Sequence, residues 1–309
     1  MRHTILALLA CILLPFTNPA AAQRDGSAEK PLRVLLIPAD GGTEDGTKAD
    51  FQPLFDAMSK STGLHFEVHT GQSYAAVIEA MCSGLAEVAW FGPMSYLEAR
   101  DRGCAELLAM EERDGSATYY AGLFIAAGSG IETISDLAGR DLALGSPHSA
   151  SSFAYPLVMI AEAGLDPIAD LGAIRLTGSH ASSLMALRSG RIDAAGASFI
   201  SFERAVNQGS LDASRFRVLG RSQPIPNPPL AMHADLPDHL KATLRTAVSS
   251  VHETPGINPE AIRGYGGKRV DRYVADIDES VLDSAASAIA FIDEDFRAAL
   301  LQKASLQTD

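Results

Sequence analysis

Three serines lie between a short apolar run and a helix-like segment near the middle of the chain. Ser149, Ser151 and Ser152 follow the strand predicted at 141–144, and the apolar segment 157–163 follows them. The first turn of a helix has unpaired backbone N–H groups and the positive end of the helix dipole, and serine hydroxyls add further donors. This arrangement predicts a site for an oxyanion. The alternative is an ordinary serine N-cap, which on these residues alone is the commoner explanation.

Three other polar side chains also lie where a strand is followed by a helix. Tyr74 and His180 each stand at the start of a predicted helix, and Tyr96 follows a predicted strand. A tyrosine at such a place can pack against apolar ligand atoms and donate its hydroxyl. A histidine beside an anion has its charged form favoured, so binding is expected to strengthen as the pH falls. The alternatives are a packing tyrosine with its hydroxyl in water and a histidine hydrogen-bonded within its own turn.

The alternation of strand-length and helix-length segments predicts an α/β protein. The pattern extends from residue 32 to residue 220, and a proline-rich segment at 224–229 interrupts it. We interpret this segment as a return crossing between two lobes. The predicted limits are 23–127 and 221–309 for lobe 1, and 128–220 for lobe 2. Two lobes joined by two crossings form a cleft that can enclose a small ligand by hinge closure.

The first 22 residues have the layout of a secretory signal peptide. Arg2 provides a basic start, residues 5–16 are apolar, and small residues occupy 20–22. We therefore expect cleavage after Ala22 and export of the mature protein. Lipoprotein anchoring through Cys11 is the less favoured alternative, because apolar residues continue after it.

The composition argues against several classes of partner and site. The chain has 25 Lys and Arg against 38 Asp and Glu, and a formal net charge of -13. Nucleic acids and anionic membranes need a basic footprint, so neither is expected as a partner, whereas backbone dipoles can still make a pocket attractive to an anion. The histidines are scattered, and we expect no metal site. Cys82 and Cys104 could pair in an oxidising compartment, but the sequence does not fix their separation.

Four segments resemble the phosphonate-binding family, the periplasmic substrate-binding components of phosphonate, phosphite and phosphate ABC importers. They are Phe-Gly-Pro-Met-Ser-Tyr at 91–96, the serine turn at 146–156, the Gly-Ser-His helix and Asp-Ala strand at 178–194, and Pro-Ile-Pro-Asn-Pro-Pro-Leu at 224–230. The resemblance covers essentially the whole mature chain, from Leu32 to about Ala299. Each motif alone is weak, but four in the same order are fairly specific.

The resemblance implies a type II periplasmic binding protein fold, in which two α/β lobes are joined by a two-strand hinge. It also implies a monomer that carries a small anionic ligand to an ABC permease in the inner membrane, without a cofactor. The implied ligand residues lie in both lobes. They are Tyr74, Tyr96, Ser149, Ser151 and His180, with Ser95 and Ser152 as weaker candidates.

The sequence departs from the family pattern at two other positions, one in the serine turn and one in the proline-rich crossing. Ala150 stands where the family has threonine, and loss of that hydroxyl costs about 1 to 3 kcal/mol with a charged acceptor. Pro228 stands where the family has an aspartate that would meet a protonated or ammonium-bearing ligand. A buried ammonium without a carboxylate partner is costly, so an aminoalkylphosphonate is not expected.

Two other functions compete with solute transport. A receptor module that reports a ligand to a membrane sensor kinase needs the same cleft, so the sequence does not separate it from a transport protein. An enzyme on this scaffold needs reactive side chains at a strand end. The sequence shows no nucleophile–base pair and no paired carboxylates there, so we expect no catalytic residues.

Overall fold

Two main β-sheets flanked by helices organise the chain in the computed structural model, which describes residues 24–40 and 44–306. The strands are β1 (Leu32–Leu36), β2 (Phe66–Thr70), β3 (Val88–Trp90), β4 (Ala105–Glu112), β5 (Thr118–Tyr119), β6 (Ala121–Ala126), β7 (Leu142–Leu144), β8 (Ile174–Leu176), β9 (Ala194–Ser198), β10 (Phe216–Arg221), β11 (Ile225–Pro226), β12 (Pro229–His233) and β13 (Arg272–Val274). The helices are α1 (Glu44–Thr62), α2 (Tyr74–Cys82), α3 (Pro93–Asp101), α4 (Tyr155–Glu162), α5 (His180–Arg188), α6 (Phe199–Asn207), α7 (Asp238–Ser249), α8 (Ser280–Ala288) and α9 (Glu294–Ser305). The predicted signal peptide and Cys11 lie outside the described residues.

The first sheet has six strands in the order β13-β4-β12-β3-β1-β2. β1 pairs in parallel with β2 and β3, and β12 pairs antiparallel with β3 and β4. The three residues of β3 are all buried, which is the pattern of a strand covered on both faces. The carboxyl ends of β1 and β3 therefore meet at one edge of a buried sheet, where open α/β folds bind ligands.

The second sheet has five strands in the order β10-β6-β9-β7-β8. β7 pairs in parallel with β8 and β9, and β6 pairs antiparallel with β9 and β10. This sheet carries the serine turn after β7 and the His180 turn after β8, and both turns lead into helices.

Two short strands join the two sheets. β5 and β11 pair antiparallel, with Tyr119 opposite Ile225 and Thr118 opposite Pro226. The chain thus crosses between the sheets in both directions through this ribbon. The predicted architecture, a type II fold with two α/β lobes and a two-strand hinge, is confirmed.

The change of sheet occurs earlier than the predicted lobe limit at residue 127. β6 pairs within the second sheet, although the limits 23–127 and 128–220 assign it to lobe 1. Its apolar sequence identifies a buried strand but not the sheet in which it pairs. We propose that the lobes divide within the hinge strands β5 and β11, so that β10 belongs wholly to lobe 2.

The two cysteines of the described chain form a disulfide. Cys82 is the last residue of α2, and Cys104 directly precedes β4. Both elements belong to lobe 1, so the bridge lies within that lobe. The sequence left this pairing open.

Candidate functional site

The serine turn folds back on the end of β7. Gly145 N–H donates to the carbonyl oxygen of Ser152 at 2.9 Å, and Ser149 Oγ accepts from the N–H of Ser152 at 3.2 Å. A Cβ at Gly145 would lie 2.1 Å from Ser152 Oγ, so only glycine permits this close approach. Ala150–Ala154 then forms a π-helical turn that leads directly into α4. The local sequence thus places Ser149 and Ser151 at the start of a helix.

A buried cavity of about 10 Å³ lies between the lobes at this turn. Four of the predicted ligand residues line it, namely Tyr74, Ser149, Ser151 and His180. The two positions that depart from the family pattern, Ala150 and Pro228, line it as well. Residues from distant parts of the sequence therefore converge on one small space.

Hydrogen bonds orient the hydroxyl groups around the cavity. The hydroxyl of Tyr119 donates to Ser151 Oγ at 3.0 Å, which leaves the hydroxyl hydrogen of Ser151 available to a ligand. The hydroxyl of Tyr74 is hydrogen-bonded with Ser149. Burial raises the pKa of both tyrosines above the ordinary value, so both keep their hydrogens and remain donors at neutral pH.

His180 is neutral in this site, which corrects the expectation of a charged histidine. The backbone N–H of Ser198 donates to His180 Nδ1 at 3.0 Å, so the ring hydrogen is on Nε2. Burial lowers the pKa of His180 to about 3, because the charged ring would lose its hydration. The imidazole therefore offers a neutral N–H, and its protonation does not strengthen binding near neutral pH.

Three of the predicted residues do not line the cavity. The hydroxyl of Tyr96 donates to Glu279 Oε2 at 3.0 Å. Ser95 Oγ accepts from the N–H of Gly92 at 3.0 Å and donates to the Gly92 carbonyl at 3.1 Å. Its hydrogen is therefore used within the first turn of α3. Ser152 is packed against Gly145 behind the serine turn. We therefore leave Tyr96, Ser95 and Ser152 out of the ligand set.

Three aromatic residues that sequence reasoning missed complete the cavity wall. They are Trp90, Tyr119 and Tyr265. The indole Nε1 of Trp90 is buried and has no hydrogen-bond partner among the described residues. Trp90 is the single tryptophan of the chain and the last residue of β3, at the strand end where open α/β folds bind ligands, which is a signal that could have found it. Tyr265 reaches the cavity from a short turn far along the chain, and no local pattern points to it.

Polar contacts between the lobes hold the cavity closed. Arg204 of α6 pairs with Asp50 at 2.6 Å and with Asp40 at 3.5 Å, and both aspartates belong to lobe 1. On the other side of the serine turn, His148 Nδ1 lies 2.6 Å from Glu98 Oε2. The burial of Asp40 raises the pKa of its carboxyl. The structure therefore has the closed arrangement of a two-lobed protein.

Comparison with protein families decides the identity of the fold and its role. A family model described as "ABC transporter, phosphonate, periplasmic substrate-binding protein" matches residues 42–275. The chain belongs to this family. It is a periplasmic substrate-binding component of an ABC importer.

Known members of the family align over most of the chain. The phosphate-import protein PhnD of Mycolicibacterium smegmatis is 28% identical over 241 residues, which are 72% of this chain and 74% of the relative. The phosphonates-binding periplasmic protein of Escherichia coli is 24% identical over 264 residues, 82% of this chain and 76% of the relative. A solved binding protein component of an ABC phosphonate transporter from Pseudomonas aeruginosa superposes with a TM-score of 0.72 at 20% identity, over 89% of this chain and 96% of that one. At that identity, the superposition supports the fold.

Within residues 24–40 and 44–306, no helix has the length and apolar character needed to cross a bilayer. In the same described part of the chain, no three His, Cys, Asp or Glu side chains are grouped so that they could hold a metal ion.

Proposed function

We propose that this binding protein takes up a small phosphorus oxyanion, of the phosphonate, phosphite or phosphate type, in the cavity between the lobes. It then presents the closed, loaded form to an ABC permease in the inner membrane. The observation that carries the proposal is the convergence of the buried residues Ser149, Ser151 and His180 on one cavity between the lobes. A closed cavity strengthens hydrogen bonds to an anion because it excludes water.

The donors at the serine turn suit the tetrahedral shape of such an anion. The hydroxyls of Ser149 and Ser151 lie on adjacent parts of the turn, and the backbone N–H groups of Ala150 and Ser151 donate to no described residue. The helix that begins here also places its positive dipole end towards the cavity. The Nε2–H of His180 supplies a further donor from α5 of the same lobe.

The family places the protein in the periplasm, and the signal peptide at 1–22 is the proposed route of export. We propose that the mature protein works as a monomer with the permease, without nucleic acid and without catalytic activity. A role in sensing uses the same cleft, but family membership favours transport.

The test is ligand binding by the mature protein, residues 23–309, purified without refolding. We expect methylphosphonate, phosphite or phosphate to raise the melting temperature and to give a measurable heat of binding in calorimetry. Ser151→Ala removes a hydrogen bond to a charged acceptor, which is worth about 1.5 to 3 kcal/mol, so affinity should fall about 10- to 150-fold.

The matched control is Ser189→Ala, at the exposed carboxyl end of α5 and away from the cavity. It should bind like the unmodified protein. The proposal is wrong if none of the three anions shifts the melting temperature and native mass spectrometry finds none of them retained.

A further inference from the structure

The backbone of Tyr265 is attached to lobe 1. Its N–H donates to Glu111 Oε2 at 3.3 Å, and Glu111 lies in β4 of the first sheet. The turn that carries Tyr265 is closed by a hydrogen bond from the N–H of Gly264 to the carbonyl of Lys268 at 3.0 Å. The main chain of this residue is therefore fixed on the lobe that also carries Trp90.

The side chain of Tyr265 reaches across to lobe 2. Its hydroxyl oxygen lies 2.7 Å from Ser198 Oγ and 2.7 Å from Ser201 Oγ. Ser198 is the last residue of β9 and Ser201 lies in the first turn of α6, so both serines belong to lobe 2. Ser201 Oγ also donates to the carboxylate of Asp40 in lobe 1. The hydroxyl of Tyr265 thus joins the two lobes through serines that do not line the cavity.

The ring of Tyr265 is at the same time part of the cavity wall. Its centroid lies 5.5 Å from that of Trp90 in lobe 1 and 6.1 Å from that of His180 in lobe 2. Burial raises the pKa of the Tyr265 hydroxyl well above the ordinary value, so the group keeps its hydrogen. One residue therefore faces the ligand space with its ring and connects the lobes with its hydroxyl.

The two lobes approach each other closely beside this residue. Gly266 has a φ of 70°, and a Cβ at this position would lie 2.4 Å from Ile200 Cγ2 in α6. A side chain here would hold the lobes apart, which glycine avoids. Because the tyrosine and its two serine partners are on opposite lobes, their hydrogen bonds form when the lobes close and break when the lobes separate.

We propose that Tyr265 is a positioning residue that sets how long the two lobes stay closed on the ligand. This inference rests on the proposed function and concerns the release of the same ligand. An open binding protein meets its ligand before the lobes close, whereas release requires the closed lobes to separate. A hydrogen bond that exists only in the closed form therefore slows release and leaves association almost unchanged.

The experiment is stopped-flow fluorescence of the mature protein, with Trp90 as the reporter. Trp90 is the single tryptophan of the chain and lies in the cavity wall next to Tyr265. The ligand is whichever of phosphite, phosphate and methylphosphonate binds most tightly in calorimetry. Tyr265→Phe keeps the ring and removes the hydroxyl, so only the hydrogen bonds to lobe 2 are lost.

We expect the dissociation rate of Tyr265→Phe to be about 3- to 10-fold higher than that of the unmodified protein, as for one hydrogen bond between neutral groups. The association rate should stay within about twofold. Calorimetry should show a dissociation constant raised by the same factor as the dissociation rate.

Tyr273→Phe is the matched control. Tyr273 is a buried tyrosine of β13, and its hydroxyl donates to the carbonyl of Arg263 at 3.2 Å within lobe 1. This change removes a buried tyrosine hydroxyl from the same lobe without affecting a contact between the lobes. It should lower the melting temperature of the ligand-free protein and leave both rate constants within about twofold.

A double-mutant cycle tests whether the hydroxyl acts through lobe 2 or directly on the ligand. Ser201→Ala removes a partner of Tyr265 that lies outside the cavity, and it keeps the N–H that Ser198 Oγ accepts at 3.0 Å. We expect Ser201→Ala to speed release as well. The double variant should release the ligand more slowly than the product of the two single effects predicts, because both changes remove one shared contact. An effect equal to that product would place the hydroxyl on the ligand and overturn the inference.

The outcomes separate this inference from the proposed function. A dissociation rate of Tyr265→Phe within twofold of the unmodified protein, or an equal increase in Tyr273→Phe, overturns the inference and leaves the proposed function standing. Absence of binding by methylphosphonate, phosphite and phosphate to the unmodified protein overturns the proposed function, and the inference with it.

Discussion

The turn at 92–96 in lobe 1 and the turn at 145–152 in lobe 2 are built to the same plan. Each begins with a glycine after a buried strand of three residues, carries serine, and leads into a helix. In the lobe 1 turn, Ser95 satisfies both backbone groups of Gly92. In the lobe 2 turn, Ser151 Oγ accepts from the hydroxyl of Tyr119 and keeps its own hydrogen, and Ser151 lines the cavity whereas Ser95 does not. The comparison teaches that a turn can offer a ligand only the serine hydrogens that its own backbone does not accept, and that the shared sequence plan does not reveal which these are.

The largest expected difference between the two turns is in the loss of stability when the glycine of each turn is replaced by alanine. A methyl group at Gly145 would lie 2.1 Å from the Oγ and 2.7 Å from the Cβ of the fully buried Ser152. Gly145→Ala should therefore lower the free energy of unfolding by about 1 to 3 kcal/mol and displace the serine turn. Denaturant unfolding measures the loss, and the affinity for the oxyanion should fall at least about tenfold with it.

Gly92→Ala is the matched change in the other turn. Its backbone is extended, with φ of -77°, and the nearest atom to an added Cβ is 3.6 Å away. We expect a change in stability within about 0.5 kcal/mol. Equal destabilisation of the two variants would contradict the contrast drawn here.

An intermediate effect is expected at the strand end that precedes the lobe 1 turn. Trp90→Phe keeps an aromatic ring and removes the unpaired Nε1–H, so affinity for the oxyanion should fall about tenfold, in line with one hydrogen bond to an anion. Calorimetry measures the change. The free energy of unfolding should change less than for Gly145→Ala. The smaller ring leaves a cavity, which destabilises the protein, whereas removal of the unpaired buried N–H stabilises it.

Phe51→Leu is the control for packing around this residue. The rings of Phe51 and Trp90 have centroids 4.9 Å apart, and Phe51 has no polar atom. If Phe51→Leu weakened binding as much as Trp90→Phe, the indole N–H would not be the group that matters.

The smallest effect is expected at the tyrosine of the lobe 1 turn. Tyr96→Phe removes the hydrogen bond to Glu279, so stability should fall by about 1 kcal/mol or less, while affinity stays within about twofold. The same change at Tyr74, which lines the cavity, should weaken binding several-fold. Titration of both variants with methylphosphonate settles which tyrosine meets the ligand, and a loss of affinity at Tyr96 would reverse the assignment.

The sequence predicted the fold well because the fold depends on repeated local patterns. Buried strands such as β3 and β7 are short apolar runs, and several helices begin after a residue with clear capping chemistry, such as Ser179 before α5. The proline-rich segment also identified the return crossing. The predicted lobe limit after residue 127 did not anticipate that β6 pairs in the second sheet, because pairing depends on contacts that a run of apolar residues does not specify.

The site could be predicted only where a residue is held by its own turn. Ser149, Ser151 and His180 each lie at a helix start, and their positions follow from local geometry. Tyr96 is also at a helix start, but the direction of its side chain depends on Glu279, which is 183 residues away in the sequence. Tyr265 reaches the cavity through tertiary folding alone. The neutral state of His180 likewise depends on burial, which the sequence does not state.

The disulfide between Cys82 and Cys104 spans 22 residues that all belong to lobe 1. A crosslink within one lobe reduces the conformational entropy of that part of the unfolded chain. In the loop-entropy account, this stabilises the folded state by about 3 kcal/mol. It does not tether one lobe to the other. In the oxidising compartment that the family occupies, the disulfide can therefore form and stabilise lobe 1 without restricting the hinge motion between the lobes.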